Sequence, residues 1–437
     1  MTTHNPASTT FDPWYDHYAD RASGLSASEV RALFAVASRP EVVSLAGGMP
    51  FVSALPTSLV SAALERVMRD HGAQALQYGS GQGTPALREH ILEVMALEGI
   101  RGRVDDVVVT TGSQQALDLV TKLFINPGDV VLAEAPSYVG AIGVFRSYQA
   151  EIAHVAMDAD GLIPQSLRET IASLKAAGKT IKLLYTIPSF HNPAGVTLSW
   201  ERRVEILEIC RSNGILVLED NPYGLLYLDQ PGPQAMRSID TDGVVYLGTF
   251  SKTLAPGFRV GWALAPHAIR EKLILANESA ILSPSAFSQY AITEYLQQAD
   301  WKAQINTFRG VYRERRDAML AALAENLPEC SWNVPRGGFY VWVRLPSGLD
   351  SKEMLPRAVK ELVAYTPGTA FFADGGGHDQ VRLSFCYPTP DAIRVGVRRL
   401  AAVVREELEL LDTFAHTGPM RVVPDDAHIA SPPPNTN

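Results

Sequence analysis

Short apolar runs recur between positions 107 and 248, and segments with helical spacing separate them. Strands are expected at 107–110, 130–134, 181–187, 215–219 and 244–248. Helices are expected at 113–125, 137–148, 164–177, 199–212 and 265–276. This alternation constrains the chain to a mainly parallel sheet with helices on both faces. Ligands of such sheets sit beyond the carboxyl ends of the strands. The residues just after each run are therefore the first place to look for chemistry.

Those residues are polar or turn-forming every time. Gly112-Ser113-Gln114 follows the first run, and Pro136 and Tyr138 follow the second. Asn192-Pro193-Ala194-Gly195 follows the third, and Asp220-Asn221-Pro222-Tyr223 the fourth. After the fifth come Thr249, Ser251 and Lys252, then Pro256, Gly257 and Arg259, and a second short strand ending at Ala263. Taken singly, Lys252 reads as a solvated loop lysine, and NPAG and DNPY read as ordinary turns. A lysine beside two hydroxyls and an arginine, with such a segment at every other strand end, reads as a site.

The flanks add a second unit. Ser28 to Ala37 has the pattern of a short helix capped by Ser28. SLAGGMP (44–50) is a glycine turn where backbone can approach a ligand, and a helix starts near Leu55. Tyr78 lies in the glycine-rich QYGSGQG, and Thr84-Pro85 opens another helix. A long helical region, 284–326, is broken by Asn326-Leu327-Pro328. Strand-like segments at 338–344 and 381–385 and a helix at 389–409 follow, the rhythm of a smaller α+β domain. The expected division is 1–27, a flexible N-terminal segment; 28–75, an arm reaching the small domain and the site; 76–325, the large domain; 326–412, the small domain; and 413–437, a disordered tail.

A chain of 437 residues with 46% hydrophobic and 19% charged residues fits two subdomains with a large interior. A net charge of −9 argues against a nucleic-acid partner. No apolar run is long enough to cross a bilayer, so no membrane partner is expected. The start MTTHNPASTT lacks the basic and apolar regions of a signal peptide. Cys210, Cys330 and Cys386 lie far apart, which gives neither a disulfide framework nor metal spacing and suits a cytoplasmic protein with no metal.

In this order, and over roughly positions 30 to 405, the motifs resemble those of the pyridoxal-5′-phosphate (PLP) aminotransferases of fold type I, class I/II. The similar branch includes enzymes for 2-aminoadipate, aromatic and branched-chain amino acids. The resemblance implies an α/β fold with a large domain on a mainly parallel seven-stranded sheet and a smaller α+β domain. It implies transfer of an amino group from an L-amino acid to a 2-oxo acid such as 2-oxoglutarate, with Lys252 forming an imine with PLP and then shuttling protons. A neighbouring positive charge, from Arg259, would lower the pKa of that amine.

The same resemblance assigns the other residues. Asp220 would keep the pyridine nitrogen protonated, while Glu219 points the opposite way in the strand. Tyr223 and Asn192 would donate to the 3′-oxygen, and Tyr138 would stack on the ring. Gly112, Ser113 and Gln114, at a helix start, would hold the phosphate with Thr249, Ser251, Arg259 and Tyr78 of the partner subunit in a homodimer with shared sites. Arg382, in VRLSF, would clamp the substrate α-carboxylate, with Asn192 and Gly48 beside it. Arg31 is the candidate for a distal substrate carboxylate. Cis peptides are expected at Ala135–Pro136 and Asn192–Pro193.

Two departures stand out: His191 where relatives often carry glutamine, and Ala194 in place of a common threonine. His191 reads as a local hydrogen-bonding residue. The alternatives are another PLP enzyme of this fold, a β-lyase or decarboxylase, or a PLP-sensing regulator. Such regulators carry a basic winged helix in front, whereas here only residues 1–27 precede the first motif helix. A dinucleotide oxidoreductase also fits the alternation, but GSQQAL lacks the G-x-G-x-x-G spacing.

Overall fold

The protein is described by a computed structural model over residues 12–25 and 39–416. The helix expected at 28–37, with Arg31, and the tail after 416 lie outside the described residues.

The first strand is the short Val43–Ser44 (β1). The large sheet then collects Val107–Thr110 (β2), Val130–Ala135 (β3), Glu151–Asp158 (β4), Gly161–Leu162 (β5), Ile181–Thr186 (β6), Leu216–Asp220 (β7), Val244–Thr249 (β8) and Gly261–Leu264 (β9). Their spatial order is β2-β9-β8-β7-β6-β3-β4-β5. Pairing is parallel from β8 through β7, β6 and β3 to β4. Strand β9 runs antiparallel to both β2 and β8.

The sheet thus has eight strands where seven were expected, and the two-residue β5, which pairs only with the end of β4, makes the difference. Strand β4 was not anticipated. It lies near the edge and buries only Val155 of its eight residues, so its apolar signal is weak.

Side chains alternate across the sheet as a strand period of two requires. Val108, Val131, Leu218 and Val245 pack on one face with helices 113–124, 139–147 and 267–281. Val130, Val217 and Val244 pack on the other with helices 164–176 and 200–213. The helical region 284–326 is two helices, Ala286–Gln298 and Trp301–Asn326, because Asp300 caps a new start by accepting from Ala303 N at 3.0 Å.

The second sheet is small. Ser331–Trp332 (β10), Tyr340–Arg344 (β11), Val363–Ala364 (β12), Thr366–Pro367 (β13) and Gln380–Ser384 (β14) are its region's strands. Four of them form an antiparallel sheet in the order β10-β11-β14-β13. β12 instead pairs parallel with β1, which carries the N-terminal arm onto this unit. Helix 301–326 packs along helix 390–416 behind it.

Candidate active site

The carboxyl ends of β2, β3, β6, β7 and β8 meet the SLAGGMP turn and the near edges of β11 and β14 around a cavity of about 500 Å³. Its lining includes Gly48, Ser113, Gln114, Tyr138, Asn192, Asp220, Tyr223, Thr249, Ser251, Lys252, Arg259 and Arg382. The chain thus brings together residues up to 334 positions apart, from Gly48 to Arg382. Gly112 lies immediately behind this wall. Tyr78 does not line the cavity of its own chain and is 78% exposed.

Lys252 is partly buried, and its Nζ donates to the Gly48 carbonyl at 2.9 Å. Burial lowers its pKa, and Arg382 and Arg259 lower it further; Cys386 and Asp220 act in the opposite sense. A less basic amine is a better nucleophile and proton acceptor near neutral pH.

Asp220 ends β7 on the same face as Leu218, and Glu219 faces the other way, as the strand period dictates. Glu219 accepts from Met236 N at 2.9 Å and Arg237 N at 2.8 Å and holds a structural turn. Asp220 Oδ2 accepts from Tyr185 OH at 2.8 Å, while its Oδ1 is buried with no partner. Burial pushes the Asp220 pKa up to about 6, against the Tyr185 bond and Lys252. A buried, half-satisfied carboxylate beside an open cavity is suited to an N–H or cationic donor from a ligand.

At the other end, Gly112 has φ 76 and caps the start of helix 113–124. A Cβ there would meet Arg259 Nη2 at 2.6 Å, so only glycine allows the guanidinium to lie against the helix start. Arg259 itself has φ 51, a left-handed conformation that costs a non-glycine residue roughly 1 kcal/mol or more. Thr249 Oγ1 donates to Ser251 Oγ at 2.9 Å. Free N–H groups of a first helical turn, two hydroxyls and a guanidinium make a cradle for an anion of phosphate type. Tyr138 lines the same cavity, and its hydroxyl donates to Gln114 Oε1 at 3.2 Å.

The NPAG turn is fixed from two sides. Both expected cis peptides, Ala135–Pro136 and Asn192–Pro193, are present. His191 Nδ1 accepts from Ala194 N at 3.1 Å, which places the ring proton on Nε2, 3.0 Å from Glu134 Oε2. Glu134 also accepts from Thr186 Oγ1 at 2.8 Å and Ile187 N at 2.9 Å. Arg382 is buried between the rings of Tyr340 and Phe371, with centroids 4.2 and 4.8 Å from its guanidinium carbon. Its Nη1 donates to Asn192 Oδ1 at 2.9 Å and its Nη2 to Ala46 O at 2.7 Å; its Nε has no partner.

Sequence reasoning did not single out Glu134, Tyr185 or Tyr340. A carboxylate in the apolar run of β3, just before Ala135-Pro136, was the signal available for Glu134. Tyr185 and Tyr340 are aromatic residues in apolar strands and carried none.

Comparison with known proteins gives concordant results. A family model described as aminotransferase class I and II matches residues 41–400. An aromatic-amino-acid aminotransferase of Thermococcus litoralis is 41% identical, over 90% of this chain and 95% of its own. The kynurenine aminotransferase of Pyrococcus horikoshii, solved in complex with PMP, superposes with a TM-score of 0.86 at 39% identity, covering 90% of this chain and 98% of that one. The α-aminoadipate aminotransferase of Thermus thermophilus, solved with N-(5′-phosphopyridoxyl)-L-leucine, gives 0.83 at 35% identity, with 91% and 99% covered.

Proposed function

The chain belongs to the class I and II aminotransferases, is a PLP-dependent transaminase, and on that premise we propose that it carries the amino group of an L-amino acid to 2-oxoglutarate with Lys252 as the catalytic amine. The observation that carries this reading is the shared cavity of Lys252 and Asp220, in which Asp220 Oδ1 is buried without a partner.

The residues fit the cofactor at three points. Asp220 Oδ1 would accept from a pyridine N–H, which would satisfy its orphaned oxygen. Tyr138 would lie against the ring. The Gly112 cradle, with Ser113, Gln114, Thr249, Ser251 and Arg259, would hold the phosphate, and the glycine there lets the Arg259 guanidinium close against the helix start. When bound, the cofactor supplies an aldehyde carbon for the amino group and a ring that draws electrons from it.

The protein's own groups do the rest. Lys252 Nζ, kept less basic by burial and by Arg382 and Arg259, takes the proton from the substrate Cα. Arg382, which lines the cavity, would hold the α-carboxylate, backed by Asn192 and the Gly48 turn. Asn192 Oδ1 is engaged by Arg382, so its amide N–H remains to donate, beside Tyr223, to the cofactor's 3′-oxygen. The exposed Tyr78 would reach the phosphate cradle of a second copy, making a homodimer with shared sites.

A panel of amino donors with 2-oxoglutarate tests the reaction. The expected result is glutamate formed in equal amount to the 2-oxo acid derived from the donor. Release of ammonia or carbon dioxide without glutamate would assign the β-lyase or decarboxylase reading instead.

A further inference from the structure

The two tyrosines over the cavity meet: the Tyr223 hydroxyl donates to the Tyr340 hydroxyl across 3.4 Å, a long hydrogen bond, and both side chains are buried. Their rings meet edge to face, with centroids 6.1 Å apart and planes at 90°. Phe339 supports Tyr223 from another side at 5.2 Å.

Tyr340 has little freedom. It sits on β11 beside β14, and its ring lies under the Arg382 guanidinium. Its hydroxyl presses against Gly48, where any Cβ would collide with it. No other hydrogen bond to this hydroxyl is present among the described residues. Burial raises the pKa of both phenols, so both keep their protons.

A phenol carries one proton, so the shared bond has a direction. If Tyr223 donates to Tyr340, its proton is lost to the cavity. If Tyr340 donates to Tyr223, the Tyr223 proton is free to point into the cavity. In the structure Tyr223 is the donor; we propose that Tyr340 is a positioning residue that takes over as donor beside the anionic 3′-oxygen of the bound cofactor, so that the Tyr223 hydroxyl is turned toward that oxygen. The proposal rests on the placement of Tyr223 beside that oxygen.

Two physical effects favour this direction once an anionic oxygen is present. Hydrogen bonds to a charged acceptor are roughly twice as strong as neutral ones. A chain of donors polarises along its length, so the Tyr340 bond makes Tyr223 a stronger donor. The other charged or titratable groups facing this pair are Arg382, Tyr138 and Cys386, with Lys252 and Asp220 across the cavity. Tyrosine-to-phenylalanine changes leave all of these in place.

The test is a pH titration of the visible absorbance of the bound cofactor in the holoenzyme. Donors to an oxygen that carries negative charge in the deprotonated form lower the midpoint, so removing one raises it. Tyr223→Phe should raise the midpoint most. Tyr340→Phe should raise it by a smaller amount, ~0.3–1 pH unit, a change of roughly two- to tenfold in the protonation constant. The double variant should match Tyr223→Phe alone, because Tyr340 acts only through the Tyr223 hydroxyl. No shift for Tyr340→Phe, or the same shift with and without the Tyr223 hydroxyl, would overturn the proposal. No shift for Tyr223→Phe itself would instead remove Tyr223 from the cofactor oxygen, and the proposal with it.

Discussion

Arg382 Nη1 donates to Asn192 Oδ1 at 2.9 Å, and this bond ties the small antiparallel sheet to the NPAG turn of the large one. One guanidinium thereby fixes the orientation of the Asn192 amide and anchors the Ala46 carbonyl.

Arg382→Ala should therefore impair every amino donor alike. It removes the carboxylate clamp and frees the Asn192 amide to turn. The expected loss in kcat/KM is a hundredfold or more, ~2.7 kcal/mol. Arg382→Lys should recover little, since an ammonium cannot span two acceptors in the fork geometry of a guanidinium. Steady-state kinetics over acidic, aromatic and aliphatic donors check this. A loss confined to one donor class would place the α-carboxylate elsewhere.

Asp220 couples cofactor binding to stability. Its folded pKa, about 6, stands above the ordinary 3.8, so the folded apoprotein binds more protons than the unfolded chain between those values. Stability from this group is full below about pH 4 and falls as pH rises through about 6. Asp220→Asn removes that penalty, on the order of 3 kcal/mol at pH 8, and keeps an acceptor for Tyr185. The apoprotein variant should melt higher than wild type at pH 8, with the difference closing toward pH 4. The same variant should hold PLP at least tenfold more weakly. Thermal melts of apoprotein and cofactor titrations measure the two effects separately, and a lower Tm at pH 8 would contradict the reading.

Tyr78 is tested by complementation between copies. Tyr78→Phe should weaken cofactor binding, and Lys252→Ala should abolish turnover. If sites are shared, a mixed dimer of the two variants contains one intact site, because Tyr78 comes from one chain and Lys252 from the other. Co-refolding equal amounts should restore about a quarter of wild-type activity. Recovery no greater than the sum of the two parent variants would show that Tyr78 does not act across an interface.

The fold was legible where local pattern and tertiary role agree. Strands β2, β3, β6, β7 and β8 are apolar runs with a turn motif after each, so 107–110 and 244–248 could be read directly. Strand β4 escaped because an edge strand buries little. The antiparallel direction of β9 is set by pairing with β2 and β8, which no local pattern encodes. Within the site, Lys252 and Asp220 stand out as polar groups at strand ends. Glu134 and Tyr185 act through partners 35 to 57 positions away, so their roles became visible only with the fold.

The central claim is that Lys252 is the amine joined to the cofactor. Borohydride treatment of the holoenzyme, followed by peptide mass analysis, tests it most directly. The predicted result is a reduced pyridoxyl adduct on Lys252 alone, absent from Lys252→Ala, which should lose turnover by several orders of magnitude while retaining PLP. An adduct on another lysine, or substantial transamination by Lys252→Ala, would contradict the account.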